Sequence, residues 1–201
     1  MVDLNKISLN ETEQKEFSLI PNNTVVRACI TINAGGETVE EFSQFPFFKK
    51  SQTTAAKWLP LELYVIGGEY DQQKFWHNLF VDGDARNEDG VSKSREIGLR
   101  TLRKIVDSIY GLKASDQSED AMAKRNIPNI DILVDKEFCF LVGIEKGTNG
   151  YADKNRMILP LTPDDSRYIG GTQGVVNNPQ IAKSNSATAS APKSNVPEWA
   201  Q

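Results

Sequence analysis

Residues 58–81 read WLPLELYVIGGEYDQQKFWHNLFV, and this stretch decides the fold. Leu59, Leu61, Leu63 and Val65 alternate with Trp58, Pro60, Glu62 and Tyr64, and a period of two places the two sets on opposite faces of a strand. Gly67-Gly68 stops that strand, and Lys74 to Val81 forms the next one, joined to it by a short turn as in a hairpin. Phe75, Leu79 and Val81 are expected inward and Lys74, Trp76, Asn78 and Phe80 outward, because burying an unpaired lysine is costly. The hairpin therefore has one aliphatic face and one aromatic, polar face.

Upstream, TVVRACITI at 24–32 is rich in β-branched residues, follows the breakers Pro21-Asn22-Asn23 and ends at Ala34-Gly35-Gly36, which predicts a first strand. Downstream, the polar run DGDARNEDG at 82–90 is a loop, and Ser92 is placed to cap a helix that runs to Tyr110 and stops at Gly111. Ile97, Leu102, Ile105, Val106, Ile109 and Leu112 make its apolar stripe. Residues 114–128 read as a short helix or a loop ending at Pro128. Strands follow at 137–145, EFCFLVGIE, and 156–161, RMILPL, around the turn-rich KGTNGYADKN. Three strands, a helix and two strands is the order of the five-stranded OB barrel, a mainly β fold. Its ligand face lies across strands two and three, flanked by the loops after strands one and four.

The chain has 201 residues, 39% of them hydrophobic and 25% charged, which suits one globular domain with extensions. The expected organisation is an N-terminal extension at 1–23, the barrel at 24–169, and a tail at 170–201. The tail, rich in Gly, Asn, Ser, Ala, Thr and Pro, has too little apolar surface to fold alone and is expected to be disordered. Cys29 and Cys139 are far apart in apolar runs and are expected to be buried free thiols, which fits a reducing compartment. With no signal-like start and no apolar stretch of about 18 residues, the expected location is cytoplasmic.

No catalytic constellation stands out. His77 is the single histidine, so a histidine-assisted nucleophile could be built in one place only, and nothing sets a partner beside it. The acidic loop at 82–89 fails as a calcium loop because Asn87 and Lys93 stand where a glycine and a bidentate acid are required. Phosphate-cradling and dinucleotide-binding glycine motifs and zinc-ligand spacings are missing from the sequence. The expectation is a protein that is not an enzyme and uses neither cofactor nor metal.

What remains is a surface. The net charge is -4, which by itself argues against a nucleic-acid ligand. The distribution softens that objection, because residues 42–58, FSQFPFFKKSQTTAAKW, hold Lys49, Lys50 and Lys57 and no acid. Single strands are held by rings that stack on bases and cations that follow phosphates. Trp58 and Tyr64 on the second strand and Trp76 and Phe80 on the third would form the platform, with Lys74 on the same face. Lys49, Lys50 and Lys57 would line one edge, and Lys146, Tyr151, Lys154 and Arg156 the other. Glu62 shares the face and would repel phosphates. The phenylalanines at 42, 45, 47 and 48 are expected to divide between anchoring the first loop and facing the ligand. The helix is basic over 93–104, and its charge is expected to be mainly solvated surface.

The runs FSLIPNNTVVRACI, KKSQTTAAKWLPLELYVIGGEYDQQKFWHNLF, SREIGLRTLRKIVDSIYGL and VDKEFCFLVGIEKG resemble a phage and prophage family of single-stranded-DNA-binding proteins of OB type. The resemblance covers residues 17–161. It rests on a Lys-Ser/Thr loop, an alternating Leu strand, a Gly-x-Tyr turn and an aromatic-x-Asn-Leu strand. It implies a protein that coats exposed strands in DNA replication or recombination, in a host-cell cytoplasm if the chain is encoded by a bacteriophage. Carried over by position are Lys49, Lys50, Lys57 and Trp58, and in the third strand Trp76 and Asn78. The phenylalanine-rich insertion at 42–48 and Asn22-Asn23 depart from the family pattern. The terminus NVPEWAQ is similar to the apolar tips by which bacterial single-strand-binding proteins recruit enzymes, so Pro197 and Trp199 are candidate docking residues for replication or recombination proteins. The alternative is an OB-type interaction module whose same face binds a protein, since fold alone does not fix a ligand.

Overall fold

A computed structural model describes residues 18–170. Over these residues the protein is mainly β, with one antiparallel sheet of six strands: β1 (Val25–Ile32), β2 (Lys49–Lys50), β3 (Lys57–Val65), β4 (Lys74–Asp82), β5 (Glu137–Glu145) and β6 (Lys154–Pro160). Two helices, α1 (Lys93–Tyr110) and α2 (Glu119–Arg125), and a short 3-10 turn at Ile130–Leu133 lie between β4 and β5. Along the sheet the order is β2-β3-β1-β5-β6, and β4 pairs with the other side of β3. Hydrogen bonding does not close the sheet, because β4 and β6 share no ladder.

Two expectations are corrected at this level. The sheet has a sixth strand: Lys49 and Lys50 leave the first loop to pair with Trp58 and Lys57, beside the end of β1. The packed unit also starts before residue 24, since Ile20 is fully buried in the core. Its backbone N–H donates to Asn155 Oδ1 at 2.8 Å, and Asn155 Nδ2 donates back to the Ile20 carbonyl at 2.8 Å.

The alternation read from the sequence produces the core. Val26, Ala28, Ile30 and Ile32 of β1 lie beside Leu59, Leu61, Leu63 and Val65 of β3, and Phe75, Leu79 and Val81 of β4 continue the same face. Phe138, Phe140 and Val142 of β5 complete it. Phe75 and Phe140 sit on non-adjacent strands, yet their rings meet edge to face at 5.4 Å. The sheet therefore curls until its inner face meets itself.

Helix α1 is capped as expected. Ser92 Oγ accepts the Arg95 N–H at 3.3 Å, and Gly111 takes a left-handed φ of 65° that lets its N–H reach the Asp107 carbonyl. Leu102, Ile105 and Val106 are buried against the sheet. Ile97, expected in that stripe, is instead 64% exposed. Gly98 takes the inward position, where the helix comes so close to β4 that a Cβ would lie 1.7 Å from the Phe80 carbonyl oxygen. A residue with a side chain could not hold that contact. Asp107, also buried, pairs with Arg125 at 2.7 Å and ties α2 to α1.

The phenylalanine-rich segment is divided by burial. Phe48 is fully buried, Phe42 and Phe47 pack partly against the core, and Phe45 is 54% exposed. On the far side of the sheet, Cys139 and Leu141 of β5 are covered by Leu161, Tyr168 and Ile169. Cys139 is a buried free thiol, whereas Cys29 is half-buried, also without a disulfide. No helix among the described residues is long and apolar enough to cross a membrane.

Candidate nucleic-acid interface

The ladder between β3 and β4 sets Trp58 opposite Phe80, Pro60 opposite Asn78, Glu62 opposite Trp76, and Tyr64 opposite Lys74. Directly opposed residues in an antiparallel pair point to the same side. All eight therefore leave the sheet on the face away from the core, as the alternation predicts. Trp58 is half-buried and its ring lies 5.8 Å from that of Phe80, tilted by 45°. Trp76 is 67% exposed and Phe80 38%. No described segment covers this face, whereas the corresponding face of β5 is covered by the segment around Tyr168.

Glu62 is buried in the middle of the open face. Tyr64 donates its hydroxyl to Glu62 Oε1 at 2.5 Å, Lys74 Nζ lies 2.9 Å from the same oxygen, and Asn33 Nδ2 donates to Oε2 at 2.8 Å. The Tyr64 hydrogen bond first, and then that of Lys74, hold the carboxyl at about 2, far below its ordinary value. Lys74 in turn has its ammonium stabilised by Glu62 and lies over the Tyr64 ring at 4.7 Å. Two residues expected to meet a ligand, Tyr64 and Lys74, are thus already engaged with the acid that was expected to repel phosphates. Glu62 is neutralised by neighbours that the sequence alone assigns to the ligand.

Two clefts flank the aromatic rows. The first, of ≈ 610 Å³, is lined by Lys49, Lys50 and Trp58 with Gly35, Gly36, Glu37, Ser51 and Gln52. Lys49 is opposite Trp58 in the β2–β3 ladder and shares its side, while Lys50 is opposite Lys57. Gly35 lets the chain pass close to the buried Phe48, since a Cβ there would lie 2.2 Å from its carbonyl oxygen. The phenylalanine-rich segment thereby fixes the base of this cleft. Among the described residues none of Lys49, Lys50 and Lys57 is in an ion pair.

The second cleft, of ≈ 550 Å³, opens at the unbonded seam between β4 and β6. Lys74, Trp76 and Asn78 enter it from β4, and Lys154 and Arg156 from β6. Lys154 lies 3.6 Å from Glu145, whereas Arg156 is in no ion pair among the described residues. Lys146 is held by Asp153 at 2.6 Å, and Tyr151, 80% exposed, projects from the turn they close. His77 also lines the seam, and burial lowers its pKa so that the neutral imidazole is favoured.

No protein-family model matches the chain. No curated protein matches it either.

The structure therefore sorts the expected residues by availability. Among the described residues Lys49, Lys50, Trp58, Trp76, Asn78, Phe80 and Arg156 present groups without a charged partner, while Lys74, Lys146 and Lys154 are paired with acids. Pro197 and Trp199 lie outside the described residues. The sequence reading missed Asn33 as a partner of Glu62. A signal was present: Glu62, Tyr64 and Lys74 share a face at adjacent positions of one hairpin, and an acid placed there needs a cation and donors. No group of three or more His, Cys, Asp or Glu among the described residues could hold a metal ion.

Proposed function

We propose that this protein binds single-stranded DNA, with Trp58, Phe80 and Trp76 stacking on bases and Lys49, Lys50, Lys57 and Arg156 following the phosphates. The reading rests on one observation above the others. Outward aromatic rings on two adjacent strands are flanked by cations that no acid among the described residues pairs with, Lys49 and Lys50 in one cleft and Arg156 in the other. Rings beside unpaired cations are the ingredients of sequence-tolerant single-strand binding.

The proposed architecture is an OB-type barrel. β1, β3, β4, α1, β5 and β6 stand in for its strand and helix order, β2 is an addition within the first loop, and the β4–β6 seam is where closure would occur. The role in keeping with the resemblance is non-catalytic coating of exposed strands during phage replication or recombination in the host cytoplasm. Replacing Trp58 and Trp76 together by alanine is expected to weaken oligonucleotide binding more than tenfold, at an estimated 1–3 kcal/mol per stacked ring. Circular dichroism of the double variant should remain that of the parent. Unchanged affinity in a folded double variant would remove the rings from the site and favour a protein ligand for this face.

A further inference from the structure

The seam between β4 and β6 combines four features. Every second residue on the free edge of β4 turns its N–H and C=O away from β3 without a ladder partner in β6. Trp76 offers an exposed ring, and Asn78, two residues further along the same strand face, has an amide with no hydrogen-bond partner among the described residues. Arg156 offers, from the opposite wall, a guanidinium in no ion pair among the described residues. Leu19 and Met157 supply apolar lining. Two further amides of the cleft are already used, since Gln73 donates to Asn155 at 3.2 Å and Asn155 is bonded to Ile20.

A ring, a free planar amide and a guanidinium are the groups needed by one nucleotide with its base turned out of the stack: the base on Trp76, its hydrogen-bonding edge on Asn78 or the β4 edge, and its phosphate on Arg156. The cleft volume falls in the range of ligand pockets. Glu62, directly across from Trp76, is held by Lys74, and the cleft's Glu145 and Asp153 are paired with Lys154 and Lys146, so Arg156 is the cation of this cleft left for a phosphate. In the other cleft, Lys49 and Lys50 reach for phosphates, which a duplex presents as well as a single strand does.

Building on the function proposed above, we infer that the β4–β6 cleft holds a single splayed-out nucleotide and that this contact sets the preference for single strands over duplex. Only an unpaired base can present its pairing edge to Asn78.

The test uses the full chain and two fluorescein-labelled probes of one mixed sequence, a single strand and its blunt duplex, titrated at one salt concentration. Trp76→Ala and Asn78→Ala are expected to lower the single-strand to duplex affinity ratio, by about tenfold for the tryptophan. Lys49→Gln with Lys50→Gln should weaken both probes alike and leave the ratio in place. The inference is overturned if both cleft variants, folded by circular dichroism, retain the parental ratio while still binding single strands. That result would leave the single-strand reading standing, whereas a parent chain that binds neither probe would overturn both.

Discussion

Gly98→Ala should destabilise this protein, although alanine is the better helix former. In a helix interior the exchange favours folding by roughly 1 kcal/mol on propensity alone. Here the new Cβ would lie 1.7 Å from the Phe80 carbonyl oxygen and 2.9 Å from its carbon, against 3.4 Å for the start of ordinary contact. Neither atom belongs to a side chain that can swing away. Relief requires α1 and β4 to part over their main contact, and overpacking of this kind costs about 1–3 kcal/mol even where side chains can adjust. With both partners main-chain, the upper end applies, and the net loss is about 2 kcal/mol, or roughly 4–8 °C in Tm for a chain of this size. Thermal and urea unfolding followed by circular dichroism measure it. Because Phe80 carries the ring packed on Trp58, single-strand affinity should fall in the same variant below its Tm. A Gly98→Ala protein with a raised or unchanged Tm would refute the close approach of helix and strand.

Other outcomes follow from the charges. Glu62 has a folded pKa of about 2 against an ordinary 4.5, so its stabilising contribution is complete above about pH 4.5 and is lost as pH falls toward 2. The stability gap between the parent and Glu62→Gln, read from urea midpoints, should therefore close across that window; a gap independent of pH would contradict the cluster. The same variant frees Lys74 and should bind single strands more tightly at neutral pH, with a steeper salt dependence by about 0.7 in log–log slope. Arg156→Ala should flatten that slope by about 0.7, whereas Lys146→Ala, already held by Asp153, should change it less. Equal effects of Arg156 and Lys146 would show that internal pairing does not decide which cations meet phosphate.

The elements of the hairpin and α1 were legible because each carries a local signal. Alternating leucines mark β3, Ser92 and Gly111 bracket the helix, and 137–145 coincides with β5. What could not be read depends on contacts between distant segments. Ile97 fits a helical apolar stripe, yet it faces solvent because the helix approaches β4 through Gly98, and no local pattern encodes that approach. β2 exists because the chain returns beside β3 at Lys49 and Lys50, after the Glu37–Phe48 bridge brings the long loop back. Two lysines alone have no strand periodicity. For the candidate site, the outward set Trp58, Trp76, Asn78 and Phe80 followed from period two, but the division into free and engaged cations did not. That division turns on side-chain distances such as Lys74 to Glu62, and the seam cleft on a sheet edge left unpaired.

The most direct test of the central claim is tryptophan-fluorescence titration of the full chain with single-stranded and duplex oligonucleotides at two salt concentrations. The expected result is quenching by the single strand, an affinity that falls as salt rises because counterions are released, and much weaker binding of the duplex. A single strand that neither quenches nor binds at the lower salt concentration would contradict it.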